Sequence, residues 1–350
     1  MDETQDLVGD AATRIFQDLG NPQSLNSAED DAWREPLWSA LENAGLTTAW
    51  VSDELGGAGA GIGAGFAILR VAGEFAAPIP LAETLLANWL LEQGGIVPPG
   101  DTLSLAPTTQ RDTISLANGK LAGTAQRVPF GNEVSHLAVL VDDKIALVNA
   151  SDCEFDNGMN LAGEPLNSVN FDGVTALEIV EAPTGIDKNA ILLMGAATRA
   201  MQMAGALQAV LEIAVQYAEE RIAFGRPIGK FQAVQHNLAR LGEEAAAAIA
   251  IANSTAYSIE KLRSWNDASL FLEVASAKIR VGEAAGQGSA IGHQTFGAIG
   301  FTKEHILHRF VQRLWSWRDD FDNEAVWAAK LGRRVASSGG DGLWLDLTAA

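Results

Sequence analysis

Residues 221–241, RIAFGRPIGKFQAVQHNLARL, set Arg221, Arg226 and Lys230 among the breakers Gly225, Pro227 and Gly229, between two strongly helical stretches. A helix ending at Arg221 and a second one opened by Phe231 and Gln232 would leave backbone amides and the Arg221 guanidinium free to meet an anion. An αα-hairpin with solvated charges fits the same residues, and residue chemistry alone leaves both readings open. The other candidate is WSWRDDFDNEAVW, residues 315–327, where Asp319, Asp320 and Asp322 gather. Such a cluster suits a helix start, with Asp322 as N-cap of the final helix, NEAVWAAKLGRRV.

The 350 residues carry 44 Asp and Glu against 24 Lys and Arg, a formal charge of −20. So acidic a surface repels nucleic acid and anionic lipid, and an anionic ligand must find a local basic pocket. Neither nucleic acid nor membrane is expected as a partner. Cys153 is the only cysteine, which excludes an internal disulfide and a cysteine-rich metal site and fits a reducing compartment. The histidines show no metal-binding spacing: His305 and His308 would share a helical face, but no third ligand accompanies them, so no metal is expected. The opening MDETQDLVGD lacks the basic and apolar regions of a secretory signal, and no apolar run reaches spanning length uninterrupted. A cytoplasmic protein is the expectation.

Three segments must position these residues. Apolar residues at helical spacing, such as Leu37, Leu41 and Leu46 and then Leu85, Leu86, Trp89 and Leu90, make residues 1–98 a helical domain. GGAGAGIGAG has the glycines of a phosphate loop but no preceding strand and no GK[ST] ending, so it reads as a loop or helix junction. After VPPGD, short β-prone runs joined by Asn-Gly, Asp-Asp and Asp-Gly turns make residues 99–184 a small antiparallel β-domain. Beyond EAPTGID, long helices over 190–221, 231–262 and 268–296 return, and residues 185–350 read as a four-helix bundle, the fold class being α+β. Trp315, Trp317 and Trp327 read as core or interface aromatics; Lys278, Arg280, Arg309 and Arg313 read as a solvated or salt-bridged face, with the phosphates of an anionic ligand as the alternative.

Residues 221–241 resemble the acyl-CoA dehydrogenase stretch R-x-x-FG-x-P-I-x-x-FQ-x-x-Q-x-x-LA, and HQTFGAIGFTKEH, residues 293–305, is similar to that family's Q-x-x-GG-x-G-[FY]-x-x-E block. The family's domain order, helical, β and four-helix bundle, matches the order read above. The resemblance implies FAD as cofactor, an acyl-CoA substrate, an electron-transfer flavoprotein or similar acceptor, and a homo- or hetero-oligomer, a dimer of dimers. It also implies that Arg221 meets the FAD pyrophosphate, Phe224 packs on the cofactor and Gln232 hydrogen-bonds it. Gln294 and the turn from Gly297 to Gly300 would contact the same cofactor, usually one held by the adjoining subunit.

The family reaction needs a carboxylate that removes the α-proton of the thioester while hydride leaves the β-carbon for the flavin. Counting from Gln294, the usual position of that base falls on Phe321, flanked by Asp320 and Asp322, which are the candidate bases. The position used by a smaller group of members falls on Gly195. The family's flavin loop T-E-P-x-x-GSD and its W-I-T-N segment have no match between Leu103 and Val180, with SLAPTTQRDT in the place of the first. Two readings follow from the resemblance: an FAD-dependent acyl-CoA dehydrogenase, or a non-catalytic partner that completes the FAD site of a heteromeric one, such as those acting on steroid side-chain thioesters.

Overall fold

The computed structural model describes residues 3–109, 111–262 and 264–348. The helical segment comprises α1 (Glu3–Leu19), α2 (Pro22–Ser27), α3 (Arg34–Asn43), α4 (Ile62–Phe75) and α5 (Leu81–Gly94). Asn21 caps α2 by accepting from the Gln23 and Ser24 amides, with Pro22 where a missing N–H costs nothing. The glycine run is a loop leading into α4, where Trp50 Nε1 donates to the Ile62 carbonyl at 3.0 Å. A Cβ at Gly65 would strike that indole at 2.0 Å, so the glycines here serve packing.

Eight strands follow: β1 (Leu103–Ala106), β2 (Thr113–Ala117), β3 (Lys120–Pro129), β4 (His136–Val141), β5 (Lys144–Asn149), β6 (Glu154–Asp156), β7 (Leu166–Thr175) and β8 (Glu178–Glu181). They form two four-stranded sheets, ordered β1-β4-β5-β8 and β2-β3-β7-β6, whose facing sides bury Val128, Leu137, Val139, Val148, Val169 and Phe171. Asn118 and Gly119, both at positive φ, make the tight turn the sequence predicts between β2 and β3. Two expectations need correcting. The pairing of β1 with β4 is parallel, the one departure from antiparallel order among the named strand pairs of these two sheets. Asp172–Gly173 is not a turn: β7 runs through it, and the register against β3 slips there, a bulge that Gly173 permits at φ 69°.

The rest is helical: α6 (Lys188–Glu220), α7 (Gln232–Glu260), α8 (Ala268–Phe296), α9 (Leu307–Asp319) and α10 (Glu324–Thr348), with a two-residue hairpin of β9 (Ile222–Ala223) and β10 (Arg226–Pro227) between α6 and α7. Helices α6, α7 and α8 pack on one another; α9 lies against α6 and α8, and α10 against α8. By length and composition α6 could cross a membrane, although Thr198, Arg199 and Gln202 interrupt its apolar run, and 94% of its most apolar window is buried within the protein. Reciprocal glycines bring α6 onto α4: a Cβ at Gly205 would meet the Arg70 carbonyl at 2.0 Å, and one at Gly73 the Gln202 carbonyl at 2.0 Å. That close crossing fixes the helical segment against the bundle core.

Candidate functional site

Two places hold the sequence candidates. The first is the end of the bundle where α6 and α8 finish. The Arg221 amide donates to the Tyr217 carbonyl at 2.8 Å, closing α6, and the chain then reverses through Phe224 (φ 52°) and Gly225 (φ 80°). Positive φ at both central residues is what a two-residue hairpin demands. Phe224 is thereby held 96% exposed. Arg226 lies 4.3 Å over the Phe231 ring, and Gln235 Nε2 donates to the Gly229 carbonyl at 2.9 Å, so the turn is braced from within. Arg221 and Gln232 are exposed, and the Arg221 guanidinium makes no hydrogen bond or ion pair among the described residues.

The second block reaches the same end. Tyr217 on α6 packs on Phe296 on α8, their rings tilted by 31° with centroids 4.2 Å apart, and Phe296 meets His305 at 4.3 Å. Gln294 and Gly297 (φ 65°) are exposed; Gly300 is buried, because a Cβ there would press on Phe296 at 2.9 Å. Of the six residues expected at the cofactor, Arg221, Gln294, Gly297 and Gly300 thus stand within four residues of Tyr217 or Phe296 along the chain, while Phe224 and Gln232 flank the turn beside Phe231. Unpaired guanidinium, side-chain amides and a bare glycine turn are the donor set a diphosphate needs. His305 and His308 do not share a helical face as the sequence suggested: His305 precedes α9, and its Nδ1 accepts from the Leu307 amide at 3.1 Å.

The second place is the loop from α9 to α10. Phe321 and Asp322 both adopt left-handed backbone, φ 51° and 67°, at a cost of about 1–2 kcal/mol each for non-glycine residues. Trp327 Nε1 holds the loop by donating to the Phe321 carbonyl at 2.9 Å. The Phe321 side chain points inward, 5% exposed, and covers Gly195 so closely that a Cβ at Gly195 would lie 2.4 Å from the ring. The two positions that the resemblance offers for a base therefore face each other across one space. An aromatic ring fills it.

Neither flanking aspartate is free. Asp320, 8% exposed, accepts from Arg199 Nε at 3.0 Å and from Arg127 at 3.4 Å. Arg199 in turn donates to Glu83 on α5 at 2.5 Å and to Gln202 at 2.6 Å. One chain of charge, buried at Glu83, Arg199 and Asp320 and open to solvent at Arg127, so ties the helical segment, the bundle and the β-domain together. Burial works against the charge on Arg199, but the carboxylates of Glu83 and Asp320 outweigh it and raise its pKa. Asp322 is half-buried and pairs with Lys330 at 2.7 Å. It is not the N-cap expected for α10: Asn323 caps, accepting from the Val326 amide at 3.1 Å.

The β-domain side of this place is built by Asp112. Its carboxylate accepts from the amides of Thr108 and Thr109, at 2.9 and 3.0 Å, and from the Gln126 amide at 2.8 Å. Those two loop amides, where the family's flavin loop would stand, are consumed internally. A register slip between Ala125 and Val128 leaves Gln126 and Arg127 of β3 without partners on β7, and Arg127 reaches Asp320. The diphosphate end of FAD thus finds fitting donors on this chain, whereas the site for its ring does not.

The remaining cations are mostly spoken for. Lys278 is buried and caps α9, donating to the Trp317 and Arg318 carbonyls at 3.4 and 2.7 Å; burial pushes its pKa down to about 8. Arg280 pairs with Glu244, and Arg313 with buried Glu164 at 2.8 Å. Burial, then the neighbouring Arg313, lower Arg309 to about 10. His293 stacks on Phe301 at 4.0 Å, and burial lowers its pKa, which leaves the ring neutral at pH 7. Arg199, Glu83, Arg127 and Asp112 were not foreseen. Arg199 had a signal, a lone cation inside the apolar run MGAATRAMQMAGA; its carboxylate partners Glu83 and Asp320 lie more than a hundred residues away in sequence and had none.

Residues 187–317 match the family described as acyl-CoA dehydrogenase, C-terminal domain. The chain is 27% identical over 321 residues to acyl-CoA dehydrogenase IpdE2 of Mycobacterium tuberculosis, covering 89% of this chain and 91% of that protein. Among solved structures it is similar to the ChsE4-ChsE5 complex of Mycobacterium tuberculosis, with a TM-score of 0.84 at 21% identity over 97% of this chain and 99% of that one. It is also similar to butyryl-CoA dehydrogenase of Megasphaera elsdenii, with a TM-score of 0.82 at 17% identity over 96% and 99%. Residues 187–317 thus match the acyl-CoA dehydrogenase C-terminal domain, and over most of its length the chain is similar to acyl-CoA dehydrogenases.

Proposed function

We propose that this chain serves in FAD-dependent α,β-dehydrogenation of an acyl-CoA thioester as the partner subunit that completes the FAD site of a second chain. One observation carries the reading: Phe321 lies over Gly195, so the space for a base holds an aromatic ring. An apolar ring takes no proton. The internal ties of Asp320 and the capture of the Thr108 and Thr109 amides by Asp112 support it further. So does the exposed Phe224, which on this chain alone stands in water.

FAD, when bound, supplies the hydride acceptor. This chain's share is binding: Arg221 as a two-pronged donor to the diphosphate, Gln232 and Gln294 as hydrogen-bond partners, Phe224 as packing, and the turn from Gly297 to Gly300 as a close backbone surface. The likeness in fold to the ChsE4-ChsE5 complex supports a two-chain assembly. Electrons would pass to an electron-transfer flavoprotein or similar acceptor, and the cytoplasm is the proposed compartment.

The test is flavin counting. Co-expressed with a neighbouring dehydrogenase chain, the purified complex should carry half a flavin per chain, and the chain alone should be colourless. One flavin per chain in protein made alone, bleached by an acyl-CoA, would refute the partner role. It would favour a second reading, a one-chain enzyme using Asp322, which lines the hollow beside Thr108; Asp322→Asn would then abolish the bleaching.

A further inference from the structure

The second block carries a buried histidine that the donor set above does not include. His293 stands immediately before Gln294 on α8, is 9% exposed, and has no hydrogen-bond partner at either ring nitrogen among the described residues. It holds the turn Gly297–Phe301 at both ends. Its carbonyl accepts from the Gly297 amide, which closes α8. Its ring lies flat against Phe301, 4.0 Å between centroids and 10° from parallel, although Phe301 is itself 70% exposed. Gly300 lets the turn lie this close, since a Cβ there would stand 3.4 Å from His293 Nδ1. Trp315 on α9 packs on the same imidazole at 5.8 Å.

Such a stack needs an uncharged ring. A proton would make both nitrogens donors, and neither has an acceptor among the described residues. A buried charge without a partner is costly, and the faces of Phe301 and Trp315 attract a cation too weakly to replace its hydration. Burial is the one cause acting on the ring, with no contribution from a charged neighbour. Among the titratable and charged side chains on the elements packed around it, Arg313 pairs with Glu164 and Arg318 with Glu324. His305 meets Phe296, His308 Nδ1 donates to the His305 carbonyl, and Arg309 feels Arg313 and Glu164. Lys303, Glu304 and Asp319, with Glu219 and Glu220 on α6, are exposed.

We propose that His293 is the positioning residue of the second cofactor block: its uncharged ring clamps the turn Gly297–Phe301 in the form that bares Gln294 and the glycine backbone, and a proton on that ring opens the turn and releases FAD. The effect on FAD rests on the reading that this turn meets the cofactor; the clamp is a property of this chain alone.

Amide hydrogen exchange of the isolated chain tests the clamp. In the open turn the imidazole is hydrated and keeps its ordinary value near 6.5, whereas in the closed turn burial lowers it, so protons favour the open form. Opening of residues 297–302, after correction for the intrinsic exchange rate, should therefore grow by up to about tenfold per pH unit below about pH 6.5. Flavin retained by the two-chain complex should fall over the same range. His293→Phe keeps a ring beneath Phe301 and takes no proton, so it should flatten both profiles while His305 and His308 still titrate. Phe301→Ala alters an exposed position and should leave the fold intact, yet the turn should exchange rapidly and flavin should bind several-fold more weakly at every pH. An unchanged profile in His293→Phe, full protection in Phe301→Ala, or flavin retention indifferent to pH while the turn opens would overturn the proposal. Flavin counting at about pH 7.5, where the ring is uncharged, tests the partner reading, and exchange on the isolated chain tests the clamp, so either can fall without the other.

Discussion

The two candidate places are opposites. In the loop from α9 to α10, each polar group turns inward to a partner: Asp320 to Arg199, Asp322 to Lys330, and the Phe321 ring onto Gly195. At the end where α6 and α8 finish, Arg221, Gln232 and Gln294 face solvent, and Phe224 stands 96% exposed on a strained turn. A buried charge must be matched within its own chain, because leaving it alone costs several kcal/mol; an exposed one can wait for a ligand. The saturated loop holds this chain together, and the bared turn is where it would reach beyond itself.

The comparison breaks most sharply at Arg199. Arg199→Met leaves Glu83 and Asp320 buried without their cation, and urea unfolding should show a loss of about 3–5 kcal/mol. If the loss is under about 1 kcal/mol, the charge chain does not hold the domains. Next is Gly195→Ala, whose Cβ would collide with the Phe321 ring at 2.4 Å. Overpacking of this kind costs about 1–3 kcal/mol, and Gly195→Ala combined with Phe321→Ala should cost less than the two single losses added.

Lys278 gives a smaller, pH-dependent effect. Its pKa is pushed down to about 8 in the folded chain, while the unfolded chain keeps the ordinary value near 10.4. Below pH 8 both forms are protonated and the burial penalty is full. Between pH 8 and about 10.4 the folded form sheds its proton first, so stability should rise with pH by up to about 1.4 kcal/mol per unit. Denaturation midpoints at pH 7 to 10 would measure that slope, and Lys278→Met should flatten it.

The smallest effect belongs to the open end. Phe224→Ala and Arg221→Gln should move the unfolding free energy of the isolated chain by less than about 0.5 kcal/mol, since neither side chain is packed in it. The same variants should lower flavin occupancy of the two-chain complex several-fold. A large stability loss with unchanged flavin would reverse the contrast between the two places.

Much of the fold was legible because its signals are local. Helical periodicity located α6, α7 and α8 to within a few residues, and Asn118–Gly119 announced its turn. Asp172–Gly173 misled because glycine at positive φ serves a bulge as readily as a turn, and only the register against β3 distinguishes them. The misassigned cap had the same cause: Asp322 and Asn323 both suit an N-cap, and the backbone chose Asn323 by turning Asp322 left-handed toward Lys330.

The order of segments, the chain's acidity, and the two motif blocks with the donors they carry can all be read along the chain. Those properties depend on spacing along the chain and on residue chemistry. That Phe321 lies on Gly195, that Arg199 joins Glu83 to Asp320, and that Asp112 uses up the Thr108 and Thr109 amides were decided only by the tertiary structure. Each is a contact whose free energy exists only once distant segments are desolvated against one another, and no local pattern encodes which segment that will be.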